Sequence, residues 1–314
     1  MMEEDCSFRA VARKLGRSPN SISLEIQLGL VNGGYNAKKA DHKAYVRRHD
    51  SKYQGMKIGE HGALQDYVDE NLYADQSPEA IAGRLQKQEK SLPPVSKDSI
   101  RRYIKSVKGR RVEYHRTKQK RNRKRGRRRT KLSKLQDRIS IDNRPEYINN
   151  RRKIGDVESD FLVSGKTGKG IILNVTDRKS RLVFLEQIIE VTIANVHQAF
   201  QRIKLRFPEL TSITTDNDIL LQKHKDLEKL LEINIYFCDP YSSWQKGTVE
   251  NSNKYVRRDL PKGSNISQYS KRFIQKIEAK LNHRYMKVLN YKTPQEVLNE
   301  RRKRKKRLRA FIKD

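Results

Sequence analysis

The sequence predicts an α/β domain with a mixed sheet in its second half, preceded by all-α units in its first half. From about residue 151, three β-rich runs follow one another across the short turns KTGKG and RKSR: VESDFLVS, GIILNVTD and RLVFLEQII. This order is typical of an antiparallel meander. Toward the N-terminus, apolar residues recur at helical spacing between Ser, Gly and Pro punctuation. The 314 residues are enough for two or three domains.

The first helical unit, predicted over residues 1–50, contains a helix, a short turn and a second helix. The first helix carries an apolar stripe formed by Phe8, Val11, Ala12 and Leu15. Ser18 is a good N-cap for the second helix, and Pro19 suits its first position. In a helix-turn-helix, the second helix would present Asn20, Ser21 and Ser23 to a major groove. An ordinary helical hairpin fits the pattern equally well, and we expect a shortened copy because the chain begins close to this unit.

A second helix-turn-helix is predicted over residues 55–108. Ser77 and Pro78 again provide a cap and a first helical residue, and Ser96 caps a further helix. The outward face of that helix is basic, with Lys97, Arg101 and Arg102 among its residues. We expect contacts to phosphates, which position a protein without reading sequence. The alternative is a dimerisation module whose charges are only solvated.

Residues 109–150 are predicted to form a basic linker. Between Arg116 and Lys131, eleven of sixteen residues are Lys or Arg, with no apolar residue to anchor a fold. We expect an arm that is disordered when free and follows the DNA backbone when bound. The C-terminal tail, residues 301–314, resembles it on a smaller scale between Arg301 and Arg309.

The charge of the whole chain indicates a polyanionic partner. The 70 Lys and Arg against 37 Asp and Glu give a formal net charge of +33 and a pI near 10.2. Nucleic acid is favoured over a membrane, because the sequence has no long apolar run and no basic amphipathic helix with a bulky apolar face. Cys6 and Cys238 form no metal-ligand spacing, and the start of the chain lacks a signal-peptide pattern. We expect an intracellular protein.

In residues 151–300, the order of elements predicts a ribonuclease-H-like catalytic domain. After the three β-rich runs come a helix, the short strand TSITT, a second helix, the strand INIYF, and a helix that opens just after Gly247. In that order Asp160 lies on the first strand, Asp216 follows the fourth, and Glu250 begins the last helix. Three carboxylates from separate elements can hold two divalent cations, which is a device for breaking and making phosphodiester bonds. Lys254 and Arg257 share a helix face with Glu250 and could hold the DNA backbone there.

Each acid also has a structural alternative. Asp156 and Glu158 share the strand face of Asp160, and Asp218 competes with Asp216. Glu250 alone could complement the helix macrodipole. No Ser-His-Asp set, nucleophile elbow or phosphate-binding Gly-rich loop offers a different chemistry.

These motifs together resemble the DDE transposases of the insertion-sequence-thirty family over nearly the whole chain. The first half contributes RKLGRSPNSISLEI, GGYNAKKAD, SPEAIAGRL and VSKDSIRRYI. The second half contributes VESDFLVS, DRKSR, ITTDN, YFCDPYSSWQKGTVENSNKYVRRDLPKG and LNYKTPQEVL. The block YSSWQKGTVEN is the most specific, and 33 residues separate Asp216 from Glu250, a gap similar to the family's.

The resemblance implies an enzyme that binds the terminal inverted repeats of a mobile element and cuts DNA with water. The freed 3′ hydroxyl then attacks target DNA. The resemblance assigns Asp160, Asp216 and Glu250 as ligands of two Mg²⁺ ions, with Mn²⁺ as a substitute. It also implies a homo-oligomer on double-stranded DNA, in the cytoplasm of a prokaryotic-type cell and associated with its nucleoid.

Two rival functions stay open on the sequence alone. One is a catalytically decayed DNA-binding repressor, because the family usually has a glycine and then an acid-aromatic pair after Asp216 and Asn217, where this chain continues DILLQKH. The other is a ribonuclease-H-like nuclease acting on RNA-containing duplexes. That function does not call for two helix-turn-helix units.

Overall fold

A computed structural model of the protein describes residues 7–31, 33–51, 57–118, 137–165, 167–240 and 242–311. The chain forms two compact units. One comprises Met1–Tyr73 and Val95–Thr117, and the other comprises Ala74–Pro94 and Lys118–Asp314. Most of the predicted basic arm, residues 119–131, lies outside the described residues.

Up to residue 118 the described chain is mostly helical. Its elements are α1 (Phe8–Leu15), α2 (Pro19–Gly29), β1 (Leu30–Val31), β2 (Gly34–Tyr35), α3 (Ala37–Ser51), α4 (Lys57–Glu60), α5 (Gly62–Tyr73), α6 (Pro78–Lys87), α7 (Lys97–Lys105) and α8 (Arg110–Lys118). The strands β1 and β2 form a short antiparallel hairpin.

From residue 137 onward the chain alternates between strands and helices. Its elements are β3 (Ile139–Ser140), α9 (Glu146–Asn149), β4 (Asp156–Val163), β5 (Ile171–Asp177), β6 (Val183–Ile188), α10 (Ile193–Arg206), β7 (Ser212–Thr215), α11 (His224–Leu231), β8 (Asn234–Phe237), α12 (Gly247–Asp259), α13 (Lys271–Asn282) and α14 (Pro294–Phe311). None of the helices in the described part of the chain is long and apolar enough to cross a membrane.

The predicted caps at Ser18 and Ser96 are both present. The Ser18 hydroxyl accepts a hydrogen bond from the Ser21 amide at 3.1 Å, with Pro19 at the first position of α2. The Ser96 hydroxyl caps α7 in the same way through the Ser99 amide at 3.0 Å. Each cap satisfies one amide that would have no partner within its helix.

The predicted 55–108 unit is divided between the two compact units, because α6 belongs to the second. The guanidinium of Arg84 donates to both carboxylate oxygens of Glu296 at 2.7 and 2.8 Å. The Gln76 amide donates to the His283 carbonyl at 2.9 Å and accepts from the Tyr285 amide at 3.2 Å. These contacts join segments about 210 residues apart in the chain, a separation given by their numbering.

The sheet of the second unit confirms the ribonuclease-H-like expectation. Its strand order is β3-β8-β7-β4-β5-β6. The strands β4, β5 and β6 pair antiparallel, and β7 and β8 continue the sheet parallel to β4. The predicted meander, crossover helices and two later strands are therefore all present.

Helices cover both faces of this sheet. On one face, Val157, Val175 and Ile213 pack with Phe200 of α10 and Leu227 of α11. On the other face, a separate core formed by β4, β5 and β6 packs against α12 and α13; its residues include Leu162, Ile172, Leu185, Val256 and Ile277. The charged face of β4 therefore lies beneath α12, because neighbouring strand residues point to opposite faces.

Parts of the predicted basic linker and of the predicted basic tail form secondary structure. Residues 137–150 of the predicted 109–150 linker contribute β3, which pairs parallel with β8, and the short helix α9. Arg301 to Arg309 of the predicted basic tail are part of the helix α14. Arg and Lys are good helix formers, and Arg302 anchors the helix by a bidentate contact to Glu209 at 2.7 and 2.9 Å.

Candidate active site

Three acids lie on one face of β4, and their surroundings differ. Asp156 is buried and accepts hydrogen bonds from the Ser212 hydroxyl at 2.6 Å and the Thr211 hydroxyl at 3.2 Å. Glu158 is also buried, and Asp160 has a side chain that is 28% exposed. Only Asp160 of these three combines a carboxylate with access from solvent.

Glu158 fixes the start of α12. One of its oxygens accepts from the amides of Thr248 and Val249 at 2.7 and 2.9 Å, and the other contacts the Arg178 guanidinium at 3.1 Å. A carboxylate at a helix N-terminus satisfies amides that lack partners and complements the macrodipole. The first turn of α12 is thereby held against β4, next to Asp160.

Asp160 and Asp216 meet at one cationic group, the ammonium of Lys246. The Lys246 Nζ lies 3.1 Å from an Asp160 oxygen and 2.7 Å from an Asp216 oxygen. The Lys246 side chain is only 3% exposed. Burial alone would lower the pKa of Lys246, but the two carboxylates outweigh it and raise the pKa. Lys246 is not among the site residues predicted from the sequence, although it lies within the block YSSWQKGTVEN.

Asp218, the competitor of Asp216, has a structural role as a cap. It accepts from the Leu220 amide at 2.9 Å and begins a 3₁₀ turn over Ile219–Leu221. Burial raises the pKa of Asp218, and the charges of Asp160 and Asp216 raise it further. Leu221 is buried in the core beside α10 and α11. The segment DILLQKH therefore has a defined local structure in place of the family's glycine turn.

Asn253 connects α12 to the Asp160 carboxylate. Its amide nitrogen donates to the second Asp160 oxygen at 2.5 Å, and its amide oxygen accepts from buried Asn174 at 2.7 Å. Glu250 is half-buried and precedes Asn253 by three residues, so the two lie on one side of α12. Within the described ranges, no three His, Cys, Asp or Glu side chains are gathered closely enough to hold a metal ion. Asp160 and Asp216 are brought together, and the convergence of Glu250 with them stays a prediction.

Comparison with known proteins identifies the family. No protein-family model matches the chain. The transposase for insertion sequence element IS4351 of Bacteroides fragilis is 32% identical over 305 residues, which cover 94% of this chain and 91% of that protein. The transposase InsI for IS30A of Escherichia coli K12 is 32% identical over 306 residues, covering 93% and 78%. The chain belongs to the IS30 family of transposases.

Its function is therefore DNA transposition, and the alternative of a decayed repressor is not favoured. A further relative, the transposase for IS1086 of Cupriavidus metallidurans, is 31% identical over 94% of this chain and 89% of its own length. Among solved structures, the BIV integrase catalytic core is 20% identical, covering 48% of this chain and 97% of that one, with a TM-score of 0.39. A chain of a simian T-cell lymphotropic virus intasome in complex with PP2A regulatory subunit B56 gamma is 18% identical, covering 45% and 52%, with a TM-score of 0.39.

The two predicted cations of α12 in this transposase differ in exposure. Lys254 is exposed. Arg257 is half-buried, and its Nη2 donates to the Val163 carbonyl at 3.2 Å. Burial lowers the pKa of Arg257, and the charge of Asp160 opposes that effect. A phosphate contact by Arg257 would therefore compete with its hydrogen bond to the Val163 carbonyl, whereas the side chain of Lys254 is exposed.

The predicted DNA-reading residues of the transposase lie on exposed helix faces in its first compact unit. Asn20, Ser21 and Ser23 are exposed on α2, although the Ser21 hydroxyl lies 2.9 Å from that of Ser18. On α7, Lys97, Arg101 and Arg102 are exposed, and Arg101 contacts Asp98 at 3.0 Å. Such exposed pairs are weak, so a phosphate can compete for Arg101. Their contact with DNA stays a prediction.

Proposed function

We propose that this transposase is a metal-dependent DDE enzyme that cuts DNA at the terminal inverted repeats of its element and joins the freed 3′ ends to target DNA. One observation carries the proposal: the carboxylates of Asp160, on β4, and Asp216, directly after β7, contact the same buried cationic group. Because the chain belongs to a transposase family, we assign this acidic pair to the cutting and joining of DNA strands.

The chemistry of these donors fits a divalent cation such as Mg²⁺, with Mn²⁺ as a substitute. Hard cations prefer carboxylate oxygens, and the Lys246 ammonium marks a point where two such oxygens already accommodate positive charge. Two bound ions would activate the attacking oxygen and stabilise the leaving one. Asp160, Asp216 and Glu250 would hold these ions, at the position where the Lys246 ammonium contacts the two aspartates.

The other residues of the site orient its carboxylates. Asn253 fixes the rotation of the Asp160 carboxylate, since it donates to one oxygen and leaves the other facing Lys246. Glu158 holds the first turn of α12, and so sets the position from which Glu250 approaches. Lys254 and Arg257, farther along α12, would hold the DNA backbone beside the scissile phosphate.

The first compact unit supplies recognition in this proposal. Asn20, Ser21 and Ser23 would read base edges, while the basic face of α7 contacts phosphates. Two element ends must be held together for transposition, so the enzyme would act as a homo-oligomer on double-stranded DNA. In this proposal the enzyme acts on DNA in the nucleoid of a prokaryotic-type cell.

The decisive test is a strand-transfer assay with Mg²⁺ or Mn²⁺ on terminal-repeat DNA. We expect Asp160→Asn to abolish cleavage and joining while DNA binding persists, because it removes one negative charge from the metal site and leaves the helical unit unchanged. Asp226→Asn is the matched control, since Asp226 is exposed on α11, which packs on the sheet face opposite to α12. Metal-dependent joining that persists in Asp160→Asn would refute the proposal.

A further inference from the structure

Trp244 is an exposed aromatic side chain in the same short turn as Lys246, the residue that contacts both carboxylates. It is the only tryptophan in the chain, and 75% of its surface is exposed. It lies in the 3₁₀ turn Ser243–Lys246 that leads into α12, two residues before Lys246. Isolated exposed apolar residues are common. The exposure of Trp244 is relevant to ligand binding because side-chain contacts fix the two residues that follow it.

The backbone around Trp244 is fixed by its neighbours. The side chain of Gln245 accepts from the Asp239 amide and donates to the Asp239 carboxylate, both at 2.8 Å. The next residue, Lys246, is buried and contacts Asp160 and Asp216. The turn is therefore pinned immediately after Trp244, while the indole extends into solvent. Such pre-organisation lowers the entropy cost of binding.

We infer that Trp244 is a stacking platform for an unpaired nucleobase next to the phosphate that reacts at Asp160 and Asp216. This inference rests on the proposed function, which brings a DNA strand end to these carboxylates. An indole presents a flat π-face that any base can stack upon, without reading its hydrogen-bonding edge. A base at an opened duplex end offers a planar face of this kind, and it leaves its own stack at little cost. The site takes a nucleobase of either class, purine or pyrimidine.

Because Trp244 is the only tryptophan, its fluorescence reports directly on this contact. The full chain is titrated, without divalent metal, with terminal-repeat DNA carrying unpaired bases at the cleavage position. A dye at the far end of the DNA measures binding separately by anisotropy. We expect tryptophan emission to be quenched on binding, and more strongly than with a fully paired duplex of the same sequence. Binding without any change in emission would overturn the inference.

Variants test the same contact through affinity. Trp244→Ala removes the stacking surface and should weaken binding of the unpaired-end DNA about tenfold. Trp244→Phe keeps a flat ring and should restore most of the affinity. Leu205→Ala is the matched control, because Leu205 is 80% exposed on α10 of the same unit and should bind this DNA as the wild type does. Equal affinities for Trp244→Ala and the wild type would also overturn the inference.

Three further outcomes separate the possible failures. If emission changes with protein concentration in the absence of DNA, a second copy of the chain covers the ring, and the stacking inference is wrong. If Trp244 stacks on DNA but Asp160→Asn still performs metal-dependent joining, the proposed function fails while the base contact stands. If Asp160→Asn is inactive and Trp244 emission ignores bound DNA, the proposed function stands and the base contact fails.

Discussion

At the residue scale, neighbouring acids of one strand have different tasks because their partners differ. Asp156 accepts from two hydroxyls through one oxygen, and Glu158 contacts helix amides and Arg178, so the two acids hold the sheet and α12 together. Asp160, two residues further on, contacts an amide and an ammonium and stays accessible. Side-chain chemistry alone does not distinguish the three, since all are carboxylates on one strand face.

Glu158→Gln should destabilise the protein strongly. The side chains of Glu158 and Arg178 are 1% and 6% exposed, so neutralising one leaves the other as a buried uncompensated charge. We expect a loss of about 3 kcal/mol in the free energy of unfolding, from urea titration followed by circular dichroism. Arg202→Gln is the control, because that pair with Glu186 is more exposed and should cost about 0.5 kcal/mol. Equal losses for the two variants would contradict the buried-charge argument.

At the element scale, the second half could be predicted well and the docking of α6 could not. The strands β4 to β8 and the helices α10 to α12 have strong period-two or helical patterns, bounded by clear turns. In contrast, β3 has only two residues in a basic segment, and it is a strand because β8 offers it an edge. The contact of Arg84 with Glu296 joins residues far apart in sequence, which no local pattern encodes.

The site shows the same limit. Asp160 and Asp216 could be chosen from the sequence because the order of elements brings β4 and β7 side by side. Lys246 could not be distinguished locally, since it is one of 70 Lys and Arg, most of which suit a solvated surface. The signal that could have identified it was its position within YSSWQKGTVEN, four residues before Glu250.

The docking of α6 predicts that replacing a glycine in this helix by alanine destabilises the protein, although alanine is the better helix former. Gly83 lies within α6, and a Cβ there would overlap the ring of Tyr291. Replacing a helical Gly by Ala normally stabilises by about 0.5–1 kcal/mol, whereas overpacking costs about 1–3 kcal/mol. We expect Gly83→Ala to lower the melting temperature. Gly62→Ala, where a Cβ would meet open space at the start of α5, should not lower it. A stabilised Gly83→Ala would show that α6 is not docked this closely.

At the scale of the whole molecule, the net charge of +33 favours binding to a polyanion. Neutralising phosphates releases condensed counterions, so affinity for DNA should fall steeply with salt. Part of this charge is carried in an ordered form by α14, whose residues 301–308 are exposed. Arg302 is paired with Glu209, while the lysines beyond it extend along the helix toward solvent.

Neutralising α14 should therefore reduce the salt dependence of DNA binding without abolishing binding. We expect Lys303, Lys305 and Lys306, replaced together by Gln, to lower the slope of log affinity against log salt by up to about 3, since each phosphate contact contributes about 0.9. Fluorescence anisotropy of labelled duplex DNA at several salt concentrations measures this slope. Replacing the same three lysines by Arg keeps the charge and should keep the slope. If the Gln variant has the wild-type slope, α14 does not contact DNA, and its charge serves only to keep the helix solvated.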